Sequence, residues 1–234
     1  FWKSLSNTAI YSAISVPLGL LVSFIFAMLL NRNIPGRPFF RTAFYFPNVV
    51  PSVATAILWT MMLSSQGGLV NTFLGFFGIS NLPWLSSPDW AMPSLILISL
   101  WGIGATVVIF LAGLQDVPRT LYEAAQIDGA GALSLVRHVT IPMISPVILF
   151  NLVIGIISAF QVFAQPFIIF GAGTQGTGGG PLNSVLMYSV QLFTEAFKYF
   201  NMGYAAAMAW ILFIIIFVLT LVSMRLSSRF VHYD

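Results

Sequence analysis

The chain has 234 residues, of which 58% are hydrophobic and 6% charged, with nine Lys or Arg, six Asp or Glu and a formal net charge of +3. A soluble domain carries roughly 25% charged residues, so this composition cannot coat a soluble globule and excludes a soluble enzyme. Nine scattered basic residues also exclude the clustered Lys/Arg surface that nucleic acid requires. Cysteine is absent and there are two histidines, which leaves no disulfide, no thiol nucleophile and no expected metal site.

The charge gaps say more than the average. No charged residue lies between Lys3 and Arg32, Arg41 and Asp89, Asp89 and Asp116, Arg137 and Glu195, or Lys198 and Arg225. A spanning helix needs about 20 mostly apolar residues to cross roughly 30 Å of hydrocarbon. Each gap is long enough, so the sequence predicts an all-α, polytopic membrane helix bundle, one transmembrane domain over residues 1–234.

In chain order, the first span runs from about Leu5 to Leu30, and its basic residues follow it rather than precede it, unlike a signal peptide. Ser12, Ser15, Gly19 and Ser23 give it a small-residue face of the kind that packs helices together. The second span runs from about Thr42 to Leu63, and its Asn48, Ser52, Thr55 and Trp59 form a polar stripe. The segment Gln66 to Met92 mixes Gly, Asn and Pro with Phe73, Phe76, Phe77, Trp84 and Trp90, which suits a membrane interface and a short amphipathic helix. The third span runs from about Pro93 to Leu114 and the fourth from about Pro142 to Phe170. Asn151, Gly155, Ser158, Gln161 and Gln165 fall on one side of an ideal helix in the fourth. Glycines 171, 173, 176, 178, 179 and 180 then mark a loop that lacks the Gly-Lys-Ser/Thr ending of a phosphate cradle. The fifth span runs from about Tyr204 to Met224. Pro17, Pro47, Pro51 and Pro166 each remove a backbone donor and can kink the helix that holds them.

Orientation follows from the basic residues. Arg32, Arg37, Arg41, Arg119, Arg137, Arg225 and Arg229 fall on one side of five alternating crossings, which is therefore cytoplasmic together with the C-terminus. Lys3 and Lys198 fall outside, an outward N-terminus that, with Phe1 in place of Met, implies an earlier span and six in the intact protein. Polar side chains within spans usually face the bundle interior or a water-filled cavity. The stripes Asn48, Thr55, Trp59 and Asn151, Ser158, Gln161, Gln165 are thus candidates for a solute pathway, the alternative being hydrogen bonds between neighbouring helices. Amides, hydroxyls and an aromatic face suit a sugar. No span contains an acidic residue, which argues against a proton-coupled carrier, and no convergent acid, base or nucleophile suggests an intramembrane enzyme. His138, near the cytoplasmic boundary, is expected to make a polar contact rather than to catalyse.

The segment 115–146 carries the most information. Asp116 is a candidate N-cap, Pro118 suits a first helical turn, and Asp128-Gly129 is placed to stop a short helix, because glycine tolerates a left-handed turn. A second short amphipathic stretch, Leu133 to Val139, leads to Pro142. Glu123-Ala124-Ala125, Asp128-Gly129-Ala130, Ile141-Pro142 and Pro146 resemble the EAA loop of ABC-importer permeases. Ser6-Asn7-Thr8, Gly178-Gly179-Gly180-Pro181 and Met202-Gly203-Tyr204-Ala205-Ala206 resemble the sugar-importer branch, the group with the glycerol-3-phosphate and maltose/oligosaccharide permeases. Leu133 and Val136 depart from it, standing where that group often has bulkier aromatics.

The resemblance implies a bacterial or archaeal inner-membrane permease subunit that is not itself an enzyme. It implies a second permease subunit in a heterodimer, two ATPase subunits and an external solute-binding protein, with surrounding membrane lipid. ATP and Mg would bind the ATPases and no cofactor this chain. Leu121, Glu123, Ala124, Ala125, Asp128, Gly129 and Ala130 would form the coupling helix, with Glu123 the acidic contact and Gly129 setting its bend. ATP-driven closure of the ATPases would switch the cavity by alternating access. The competing expectation is a self-sufficient channel or secondary carrier for a small polar solute.

Overall fold

The computed structural model describes residues 1–32, 35–171 and 178–227, and among these every regular element is helical. Gly173, Gly176 and Arg229 lie outside the described residues. The helices are α1 (Trp2–Asn31), α2 (Arg37–Val49), α3 (Ser52–Met62), α4 (Leu69–Gly75), α5 (Pro88–Ser99), α6 (Gly104–Asp116), α7 (Arg119–Ile127), α8 (Ala132–Leu135), α9 (Ile141–Met143), α10 (Ser145–Phe160), α11 (Ala164–Gly171), α12 (Tyr188–Phe193) and α13 (Met202–Ser227). A π-helical turn, Val136–Thr140, joins α8 to α9, and a second, Thr194–Lys198, follows α12.

The first and fifth expected spans are unbroken helices, α1 with 30 residues and α13 with 26. α1 runs straight through Pro17. The second expected span is not one helix. Val50 precedes Pro51, and a residue before proline is pushed away from the helical region, so the chain divides into α2 and α3 of 13 and 11 residues. At 1.5 Å per residue these reach only about 20 and 17 Å. The third divides at Ile103, between Gly102 and Gly104, two residues of low helix propensity. The fourth is interrupted at residues 161–163, and Pro166 then falls in the first turn of α11, where its missing N–H would have no helical partner in any case. Among the described residues, by length and composition three helical runs can cross a membrane alone, or four if α5 and α6 count as one span, against the five expected. A short helix, α4, does form in the segment between Gln66 and Met92.

The chain forms two compact units, each drawing on part of every expected span. The first comprises residues 1–15, 50–101 and 157–216. In it, α3 packs on α11, and the Ser-Asn-Thr stretch of α1 has a definite task. Asn7 donates its amide to the carbonyls of Asn183 and Leu186, at 3.0 and 3.2 Å. Those bonds hold a turn in which Leu182 and Asn183 both take positive φ, 51° and 57°. The hydroxyl of Thr8 accepts from the buried Tyr188 N–H at 2.9 Å, and the Tyr188 hydroxyl donates to the Met208 carbonyl at 2.9 Å. The loop before α5 is gathered by Asn71, whose side chain bonds Ser64, both backbone groups of Leu82 and the Trp84 indole.

The second unit comprises residues 16–49, 102–156 and 217–234, of which 33–34 and 228–234 are outside the described set. Its core sets Ala27 and Leu30 of α1 against Val107, Phe110, Leu111 and Leu114 of α6, with Val117 and Ile144. The α6 positions recur at i, i+3, i+4 and i+7, one stripe of a helix.

Thr8 yields the test of this packing. Thr8→Val keeps the side-chain shape but leaves the Tyr188 N–H buried without its acceptor, so it should destabilise the protein by about 1–3 kcal/mol. Thermal unfolding in detergent should show a lowered midpoint.

Candidate functional site

The EAA-like segment folds as a helix with a defined stop. α7 begins after Pro118, which makes no side-chain cap, so the expected N-cap Asp116 is instead the last residue of α6. At the other end the Ala130 N–H bonds the Ala125 carbonyl at 2.9 Å and the Gly129 N–H bonds Gln126 at 3.0 Å. With Gly129 at φ +81° this is the paired-bond left-handed cap that ends many helices. The stop expected at Asp128-Gly129 is where the helix ends.

None of the α7 side chains is buried. Leu121, Glu123, Ala124, Asp128 and Gly129 are exposed, and Ala125 and Ala130 are half-buried. Ile127 is 87% exposed and, beyond the turn, Leu133 is 81% exposed, so two large apolar side chains stand out beside the carboxylates of Glu123 and Asp128. The helix is held from behind by Tyr122, whose hydroxyl lies 3.1 Å from the Thr140 hydroxyl in the π-helical turn. His138 is exposed and its Nδ1 lies 3.1 Å from the Ser134 carbonyl, a local contact.

The connection to α6 carries groups that sequence reasoning missed. The Gln115 side-chain oxygen accepts from an Nη of Arg41 at 2.7 Å and an Nη of Arg37 at 2.8 Å. Both arginines counted in the sequence only as orientation markers. Their spacing of four on α2 is the signal that they share a helix face, but nothing local says that α6 lies opposite.

The pathway candidates are placed less uniformly. In the second unit, Asn151 is buried and donates to the Val147 carbonyl of its own helix at 2.9 Å. A Cβ on Gly155 would stand 3.0 Å from a Val16 methyl, so that position is a packing contact. Asn48 donates to the Gly102 carbonyl at 2.8 Å and accepts from the Gly104 and Ala105 N–H groups at 3.2 and 2.8 Å. In the first unit, Thr55 and Trp59 are buried, and Trp59 meets Trp101 edge-on with ring centres 5.7 Å apart. The buried Trp59 indole N–H has no protein acceptor among the described residues. Ser158 and Gln161 are exposed and Gln165 half-buried. Each expected stripe presumed one straight helix. The helices are interrupted at Val50–Pro51, after Asn48, and at residues 161–163, before Gln165. Ser12, Ser15 and Ser23 of α1 are buried, as a packing face requires.

Residues 15–232 match the family described as "Binding-protein-dependent transport system inner membrane component". The chain is 41% identical over 236 residues to "Probable ABC transporter permease protein YesP" of Bacillus subtilis (strain 168), covering 100% of this chain and 74% of that one. It is 35% identical over 225 residues to "Lactose transport system permease protein LacF" of Rhizobium radiobacter, covering 94% of this chain and 74% of that one. Among solved structures it resembles a bacterial alginate ABC transporter in complex with an alginate pentasaccharide-bound periplasmic protein. There the TM-score is 0.86 at 24% identity, over 98% of this chain and 78% of that one, a likeness of fold.

The helix stop makes a local prediction. No atom lies within 4 Å of a Cβ on Gly129, so a side chain there meets backbone strain rather than a clash. Gly129→Ala should cost about 1–2 kcal/mol and Gly129→Asn less. Hydrogen exchange at the Ala130 amide should quicken by roughly tenfold in the alanine variant.

Proposed function

The chain belongs to the binding-protein-dependent transport system inner membrane component family, and from that premise we propose how its parts serve an importer. It is a sugar-type ABC-importer permease, a non-catalytic subunit of the inner membrane. Its solute is a sugar or oligosaccharide, and it supplies half of an alternating-access pathway beside a second, different permease subunit. Two ATPase subunits bind the cytoplasmic side, which carries Arg32, Arg37, Arg41, Arg119, Arg137 and the C-terminus. An external binding protein delivers the solute.

The observation that carries this reading is α7. A short helix that buries none of its side chains, yet ends in an ordered glycine stop, is built to be covered by something else. Ile127 offers an apolar knob and Glu123 a carboxylate, a pairing that suits a protein cleft with a basic rim. Leu121, Ala124, Ala125, Asp128, Gly129 and Ala130 shape the helix and its exit. When the ATPases bind nucleotide and close, the cleft holding α7 moves, and α7 moves with it. A nucleotide can drive the switch only through a difference in affinity between the two states. The self-sufficient carrier has no support in the family relationship.

The solute pathway is drawn from Asn48, Thr55, Trp59, Asn151, Ser158, Gln161 and Gln165 more narrowly than the sequence suggests. Ser158, Gln161 and Gln165 leave side-chain surface open to a solute, and Trp59 keeps an indole donor without an acceptor among the described residues. Asn48 and Asn151 are engaged with backbone.

Purification of the tagged full-length protein from its native membranes should bring down an ATPase subunit and a second permease. Glu123→Lys places like charge against the basic rim and should weaken ATPase retention by about 2 kcal/mol or more, roughly thirtyfold, while the chain still inserts. A partner-free chain from intact membranes would count against the importer reading.

A further inference from the structure

α2 is fastened to α6 at both ends of α6, and the two backbones meet closely at its amino end. At the amino end, Ile103 gives α6 no side-chain cap. The missing cap comes from α2: the Asn48 side chain accepts from Gly104 and Ala105 and donates to the Gly102 carbonyl. One turn of α2 earlier, a Cβ on Gly104 would overlap the Phe44 carbonyl oxygen, so the two backbones meet with no side chain between them. At the carboxyl end, Arg37 and Arg41 both donate to Gln115. That end of a helix carries partial negative charge, which favours two guanidinium groups.

The carboxyl-end fastening is an uncommon one. Two cations converge on one neutral amide oxygen, and the Nε atoms of both arginines are buried without a protein acceptor among the described residues. Apolar side chains would join two helices with less desolvation cost. What the arginines add is direction: a planar donor fork fixes its acceptor in position. Gln115 stands three residues before Pro118, which begins α7. Displacement of α7 therefore reaches the end of α6 through three residues, of which Val117 is packed in the core, and Gln115 is the side chain there that hydrogen-bonds another helix.

We propose that Gln115 is a positioning residue that, with Arg37, Arg41 and Asn48, makes α2 and α6 a single lever driven by α7. This rests on the importer reading. Motion imposed on α7 is delivered at the Gln115 end, and Asn48 carries it to Gly102, where the third span is broken. Loosening Gln115 lets α7 move without taking α2 along, so ATP is spent without solute crossing.

The test uses the whole transporter, with its second permease, ATPases and binding protein, reconstituted in vesicles. The measured quantity is solute transported per ATP hydrolysed. Gln115→Leu removes the acceptor for both arginines, and the ratio should fall roughly three- to thirtyfold, the span of couplings carried through such contacts, while hydrolysis continues. Gln115→Glu keeps an acceptor at the same position and adds a charge complementary to both guanidiniums, so the ratio should equal or exceed that of the native protein. An unchanged ratio in Gln115→Leu overturns the lever. Should that variant fail to assemble, Gln115→Glu decides, and a ratio below the native value overturns it. A native complex that moves solute without ATP would remove the importer reading, and the lever with it.

Discussion

Within hydrocarbon a backbone N–H or C=O without a partner costs several kcal/mol, so a chain can interrupt a spanning helix only where other groups take over its bonds. That cost governs how this protein is put together. At the break beside Ile103, the freed N–H groups of Gly104 and Ala105 and the carbonyl of Gly102 are all taken by one side chain, Asn48. At the turn before α12, the Tyr188 N–H is taken by Thr8, and the carbonyls of Asn183 and Leu186 by Asn7. Each of these two places thus becomes a tertiary joint, because the side chain that takes up the freed groups comes from another helix. The places where a spanning helix is weakest are also the places where helices are tied together.

Helix breaks account for most of the distance between sequence and structure. The apolar runs were legible because hydrocarbon tolerates so few charges, and α1 and α13 follow them closely. The stop at Gly129 was legible because a left-handed φ with an aspartate before it leaves few alternatives to glycine. Asp116 was misplaced as a cap because hydrophobic periodicity does not reveal that α6 continues to it. The polar stripes were projected on unbroken helices, and the Val50–Pro51 step and the interruption at 161–163 fall within them. Pro51 was visible in the sequence as a potential kink, but whether a proline bends a helix or is absorbed depends on its surroundings. Pro17 lies inside a continuous α1.

Tertiary partnerships were the least legible. Asn7 and Thr8 stood out as a motif without a stated task, and their task is to hold a turn about 176 to 180 residues away. Arg37 and Arg41 were informative as charges near a membrane boundary, yet their shared acceptor Gln115 belongs to another helix. Asn48 was a plausible solute ligand by type, since an amide suits a hydroxyl-rich molecule. An amide suits a pair of orphaned N–H groups equally well, and composition alone cannot choose between them.

The distribution of charge leads to a last step. The apolar runs hold no Asp or Glu, so no carboxylate inside them can take up and release a proton to drive a cycle. Glu123 sits on α7 and Asp128 caps it, a helix with no buried side chain, and Arg37 and Arg41 sit where α2 meets the end of α6. Four of the fifteen charged side chains thus sit at this exposed loop helix and at the joint between α2 and α6. A neutral glutamine at that joint fixes position through directional hydrogen bonds while leaving the apolar helices free of any buried carboxylate. The same scarcity of charge that marks the chain as a membrane protein leaves its long apolar runs without an acidic group.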